Sequence, residues 1–272
     1  VQAVPMPAGK DGRRQFSSQL GNKADKPDFE SVVVWPDGRL VALGSGSTPA
    51  RQRWLVAQKD ADSQIQTRWV DASALYAALR ALPQFAGAEL NVEGAAIHGD
   101  HLWLLQRGNG AAGQSLPVVD ALAKVPLTQL SLDGDVLRSP PAGFAVSVVA
   151  QLDLGRAPVR RTGTDLHLRQ TAAGTEVWLA VAAENSPDTY QDGQVVWSGL
   201  ARLVAGLQGP TWQLAPLVDI QGGLTCHKVE GLVADPDNTQ RWWAVVDADD
   251  ADKPCQLLEL RVVGLSGEPV LV

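Results

Sequence analysis

The chain has 272 residues, 45% of them hydrophobic and 19% charged, the composition of a folded globular protein and not of a disordered one. Its formal net charge is −7 with basic residues scattered along the sequence, which argues against the basic face that a nucleic-acid binder needs. No apolar run approaches the ~20 residues that span a bilayer, so no membrane span is expected.

The sequence starts at Val1 with no signal-like stretch, which reads as a removed leader or a fragment. Residues 1–27 hold at most two strand-like segments, at 2–6 and 14–20, and read as the outer half of an incomplete unit. From Glu30 a pattern begins that recurs. The segment 30–44 has an acid, a short apolar strand, the turn Pro36-Asp37-Gly38 and a second apolar strand. The segment 93–107 repeats this around His98-Gly99-Asp100, the segment 165–181 less closely, and the segment 230–247 around Pro236-Asp237-Asn238. These turns have hairpin chemistry. The acids Glu30, Glu93, Asp165 and Glu230 are 63, 72 and 65 residues apart.

Two more strand-like segments follow each hairpin: 53–58 and 66–70, 127–132 and 146–154, 199–205 and 212–218, 256–263 and 269–272. Four strands per unit, at a near-constant period, is the blade of a propeller. The one helical stretch is 71–82, with Asp71 or Ser73 as N-cap and Pro83 as stop. There is no βαβ alternation, which argues against a Rossmann fold or a TIM barrel. The expectation is one all-β domain, 1–272, a β-propeller of four-stranded blades. Its units run approximately 28–82, 91–155, 163–220 and 228–272, with 1–27 as the remnant of a further blade. Five blades are expected, with four or six left open, and a monomer.

In a propeller the first strand of each blade lines the central channel, so Glu30, Glu93, Asp165 and Glu230 should converge. A ring of like charges is costly unless a cation or protons neutralise it. A hard cation with oxygen ligands, Ca²⁺ above all, would satisfy it; Asp247 is a further candidate ligand. The alternative is that each carboxylate caps backbone N–H groups or pairs with Lys26, Lys228 or an arginine. The second strands end on the same side. There Ser45, Ser47 and Thr48 with Arg51 form a candidate anion loop, and Arg107 and Lys228 are candidate ligand contacts. The ordinary alternative is a Ser/Gly turn. The acidic run 247–252 reads as a solvated turn. His227, beside Lys228 and Glu230, is the acid/base candidate; His98 and His101 flank a turn and should be exposed. Cys226 and Cys255 are too few for a disulfide scaffold and are expected as unpaired buried thiols, with a disulfide the alternative.

Several of these segments together carry a resemblance. Lys26-Pro27-Asp28-Phe29-Glu30, Leu43-Gly44-Ser45-Gly46-Ser47 with Arg51, Val92-Glu93-Gly94, Lys228-Val229-Glu230-Gly231-Leu232 and Val246-Asp247-Ala248-Asp249-Asp250 with Lys253-Pro254 resemble a family of uncharacterised bacterial β-propellers, a domain of unknown function. The resemblance spans nearly the whole chain. It implies a propeller, with a further blade-forming segment before residue 1, and carries no known activity. More loosely, the Glu-Gly-Leu strand start is similar to phytase-like esterase propellers. The plan of one acid per blade is similar to calcium-dependent apyrases, although their other catalytic motifs are not matched. Three functions follow as expectations: a ligand-binding or scaffold propeller with a channel cation, a calcium-dependent hydrolase of phosphate or other esters, and a protein-interaction module. The partner would be a small molecule or a protein. A periplasmic or secreted home is expected, a cytoplasmic one being the alternative.

Overall fold

The computed structural model of the chain describes residues 4, 6–9, 12–17, 19–108, 116–156, 158–172, 174–185, 193–206, 209–247, 253–262 and 270–271. They form four four-stranded sheets arranged as a four-blade propeller, all-β apart from short helical turns. Blade 1 is β1 (Phe29–Val34), β2 (Leu40–Gly44), β3 (Arg53–Lys59) and β4 (Ile65–Asp71). Blade 2 is β5 (Val92–His98), β6 (His101–Gln106), β7 (Asp120–Pro126) and β8 (Ser147–Leu152). Blade 3 is β9 (Arg161–Thr171), β10 (Gly174–Asn185), β11 (Gln194–Gly206) and β12 (Gly209–Val218). Blade 4 is β13 (Val229–Ala234), β14 (Arg241–Val246), β15 (Gln256–Val262) and the two-residue β16 (Val270–Leu271). Strands pair antiparallel in chain order within each blade, and β16 also pairs parallel with β12, joining blades 3 and 4 at the rim.

Alternation along the strands builds the space between blades. On blade 1, Val33, Val41 and Val56 share one face and pack with Leu104, Ala121 and Ala123 of blade 2 in one buried cluster. A second cluster joins Leu105 and Leu122 of blade 2 to Leu166 and Leu179 of blade 3. A third joins Trp178 and Leu200 of blade 3 to Leu232, Trp242 and Leu260 of blade 4.

Four expectations are corrected. The stretch 14–20 is not a strand among the described residues, because the Asn22 side chain takes its backbone groups: Ser17 N–H donates to Asn22 Oδ1 (3.0 Å) and Asn22 Nδ2 to the Gln15 carbonyl (2.9 Å). The third strand of blade 2 is Asp120–Pro126 and not 127–132. Pro126 has no N–H to continue the ladder, so Leu127–Gln129 turns as a 3₁₀ helix and Leu130 and Leu132 plug the core from a loop. The helical stretch is divided into α1 (Ser73–Arg80) and α2 (Pro83–Ala86), since Pro83 both ends the first and starts the second. Both cysteines are unpaired, as expected, but exposed, because they lie in loops outside the sheets.

Helix α1 buries Leu75, Tyr76 and Leu79 beneath blade 1. The Tyr76 hydroxyl accepts from Trp54 Nε1 (3.1 Å) and donates to the Gly44 carbonyl. Gly46, with φ +74°, lies against the Tyr76 ring, where a Cβ would sit 2.2 Å from Cδ1. A left-handed residue without a side chain is therefore required there.

Candidate site at the propeller axis

The innermost strands β1, β5, β9 and β13 each carry a one-residue bulge near their start. The register skips Glu30 in β1, Glu93 in β5, Thr164 in β9 and Glu230 in β13. A bulge leaves its extra residue unpaired and re-aims its side chain. Three of these four positions hold a glutamate, and one carboxylate oxygen from each of Glu30, Glu93 and Glu230 lies within 4.8 Å of the other two. They line a cavity of ≈ 760 Å³ on the propeller axis.

The fourth equivalent position is Thr164, not Asp165. The Thr164 hydroxyl donates to the Val229 carbonyl (2.6 Å), tying blade 3 to blade 4. Asp165 falls in register with Ser31, Gly94 and Gly231. It lines the cavity but stands outside the three-glutamate group. Its carboxylate accepts the Leu232 N–H (2.7 Å), a second staple between those blades.

Charged neighbours surround the glutamates. Arg107, just past β6, donates to Glu93 Oε2 (3.3 Å), Glu184 Oε2 (2.6 Å) and Thr162 Oγ1 (3.1 Å). Asn91 Nδ2 donates to Glu93 Oε1 (2.6 Å), and Lys228 Nζ lies 3.5 Å from Glu230 Oε1. Burial pushes the Glu30 carboxyl well above its ordinary range, and the charges of Glu93, Asp28 and Glu230 push the same way. Burial also raises Glu93, against the opposing pull of Arg107 and Lys228. Burial lifts Asp165 to about 8 despite its backbone donors.

The candidate anion loop is filled from within. Arg51 NH1 pairs with Asp28 Oδ2 at 2.6 Å and donates to Ser47 Oγ (3.1 Å), while Ser45 Oγ donates to the same Asp28 oxygen (3.2 Å). Lys26 closes on Asp28 Oδ1 at 3.2 Å. Asp28, with φ 53°, is thus the anion these donors hold. Thr48 does not line the cavity, and its buried hydroxyl oxygen has no hydrogen-bond partner among the described residues. Arg107 is a buried brace between two carboxylates and not a free contact for ligand.

Lys228 and Asp247 line the cavity. His227 does not; its N–H donates to Ser198 Oγ (3.1 Å), in the loop before β13. The histidine on the wall is His167, held against the edge of Trp242 and lowered to about 4 by burial and by Arg169. Sequence reasoning passed over it, and over Thr164, because a hydroxyl or an imidazole in an apolar strand carries no pattern. His98 and His101 are partly buried, and His98 Nε2 hydrogen-bonds Thr175 Oγ1 across blades (2.8 Å). Of the acidic run 247–252, all but Asp247 lie outside the described residues.

The sequence profile of a family of unknown function (DUF6910) matches residues 22–251. The chain belongs to this family. The matched span holds the whole axial group, from Asp28 and Glu30 through Arg107 to Lys228 and Glu230. No curated protein matches the chain. Among the described residues no helix of this DUF6910 propeller is long and apolar enough to cross a membrane.

Proposed function

We propose that the protein is a ligand-binding propeller whose axial glutamates Glu30, Glu93 and Glu230 hold a hard divalent cation, with calcium the candidate. The observation that carries this is the 4.8 Å limit on the distances among their oxygens. Oxygens bound to one Ca²⁺ at ~2.3–2.6 Å stand up to about 5 Å apart, so oxygens within this limit can share one such ion. Charge supports the reading. Seven carboxyl groups and five lysines and arginines line the cavity, a deficit that one divalent ion would cancel. Burial raises both Glu30 and Glu93, and an ion at the site would favour their ionised forms against that shift.

The cation would leave coordination positions open toward the cavity, where an anionic ligand could complete them. The ester-hydrolase alternative needs donors for a substrate anion, and Ser45, Ser47 and Arg51 are committed to Asp28. Binding is therefore the better supported role. The test is Glu93→Gln, which keeps the side chain's size and one of its two accepted hydrogen bonds, from Asn91 or from Arg107, while removing a ligand charge. Calcium affinity should fall at least tenfold, about 1.4 kcal/mol, with the fold retained by circular dichroism. Unchanged affinity would remove the three-glutamate site.

A further inference from the structure

Three of the four spaces between neighbouring blades are filled by buried aliphatic side chains, between blades 1 and 2, 2 and 3, and 3 and 4. The fourth, between blades 4 and 1, has no such cluster among the described residues. On β1, alternation turns Val33, 5% exposed, toward blade 2 and turns Val32 and Val34, each 63% exposed, the other way. On blade 4 the face opposite Leu232, Trp242 and Leu260 carries the cross-strand pairs Val233 with Trp243 and Val245 with Leu257. Val32, Val34 and these four side chains line the same cavity of ≈ 760 Å³ as Glu30, Glu93 and Glu230. The cavity therefore joins a carboxylate end on the axis to an apolar flank.

We propose that the ligand of this cavity is a single-chain anionic amphiphile, with its carboxylate or phosphate head on the axial cation and its alkyl tail between blades 4 and 1. The proposal rests on the cation reading above. Three glutamates leave part of the ~6–8 oxygen positions of a calcium ion for other ligands, and an anionic head fills them. Ser31, next to Glu30 on β1, also lines the cavity, and its hydroxyl oxygen is buried with no hydrogen-bond partner among the described residues. It is a further donor at the head end. The flank selects the rest of the ligand. Its side chains offer no acceptor and, Trp243 apart, no donor, so a sugar or nucleotide lying there would lose its hydration without replacement. An alkyl chain loses nothing and gains from burying its methylenes against the exposed valines. Size agrees. From Glu30 to Val34 the backbone of β1 rises about 13 Å, the reach of an extended tail of roughly ten carbons.

The test is calorimetry on the 272-residue chain. Calcium is titrated first, alone. Straight-chain carboxylates from octanoate to dodecanoate and decyl phosphate follow, in calcium and then in chelator, each below its aggregation limit. Affinity should rise about fourfold per added methylene up to roughly decanoate, level off beyond it, and fall at least tenfold in chelator. The preference between decanoate and decyl phosphate identifies the head. The double variant Val34→Ser, Leu257→Ser should lose most of the rise with chain length, with its calcium titration as the check on its fold. Calcium binding accompanied by no affinity for the carboxylates, or by affinity that ignores chain length, overturns the proposal and leaves the cation site standing. Failure to bind calcium overturns the cation site and the proposal together. Affinity that rises with chain length equally in chelator overturns the placement of the head. A chain that sediments as a dimer and binds none of the amphiphiles also overturns the proposal, and assigns the cleft to a second copy.

Discussion

Replacing Arg107 by methionine removes one positive charge from between two buried carboxylates and keeps most of the packing volume. The side chains of Arg107, Glu93 and Glu184 are each only 6% exposed, and the guanidinium makes two ion pairs and a hydrogen bond to Thr162. Removing one partner of a buried ion pair costs about 3–5 kcal/mol, because the charge left behind is uncompensated. For a chain of this size that lowers the melting temperature by on the order of 10 °C. The loss should depend on pH. Without Arg107, the folded-state pKa of Glu93, already raised by burial, rises further above its unfolded value. A carboxyl raised in this way takes up a proton on folding, so its penalty grows as pH climbs from the unfolded toward the folded pKa and disappears below both. Urea unfolding of Arg107→Met and the parent at pH 8 and pH 5 measures it. The deficit should be several kcal/mol at pH 8 and clearly smaller at pH 5. A deficit under ~1 kcal/mol, the range of exposed pairs, or one that does not change with pH, would refute the reasoning.

Other outcomes follow from the same geometry. Asp165, lifted by burial to about 8, should make the metal-free protein lose stability as pH rises from the ordinary carboxyl range to about 8. Asp165→Asn should flatten that part of the urea-midpoint profile, and a parent profile already flat there would contradict the assignment. Tyr76→Phe removes the hydroxyl between Trp54 Nε1 and the Gly44 carbonyl. Leaving both buried groups unsatisfied should cost about 1–3 kcal/mol for each, read by thermal unfolding; a change within experimental error would place the hydroxyl outside that network. Gly94→Ala puts a Cβ 2.7 Å from the Leu166 backbone nitrogen, so it should push β5 from β9 and weaken calcium binding at the neighbouring Glu93; unaltered melting and affinity would show the strands to be less closely packed.

The hairpins beginning at Glu30, Glu93 and Glu230 were legible in sequence because each joins an acid to two apolar strands through a tight turn. The first-strand position of those acids implied convergence, and the bulges at Glu30, Glu93 and Glu230 accomplish it. Blade 3 was misread by one residue. Its hairpin is longer, with β9 and β10 running 11 and 12 residues, so spacing could not distinguish the bulged Thr164 from its acidic neighbour Asp165. The fate of Ser45, Ser47 and Arg51 was hidden for a different reason. Their anion, Asp28, precedes β1 and reaches them only through the β1–β2 pairing. Arg107 looked like a ligand contact because its two carboxylate partners come from different blades, and one of them, Glu184, is 77 residues away. Blade 2 was misplaced at its third strand because apolar residues recur on both sides of Pro126, from Ala121 to Val125 and again at Leu127, Leu130 and Leu132, so the strand end carries no mark of its own.

The central claim is that Glu30, Glu93 and Glu230 form one cation site. Calorimetric titration of calcium into chelator-treated protein at pH 7.5, with thermal unfolding recorded in parallel, tests it most directly. The account expects one saturable site, proton release on binding as the raised carboxyls ionise, and a rise in stability of about 2.7 kcal/mol at a calcium concentration one hundred times Kd. Neither heat nor a shift in melting temperature at millimolar calcium would contradict it, and would leave the three glutamates as proton-sharing braces of the propeller axis.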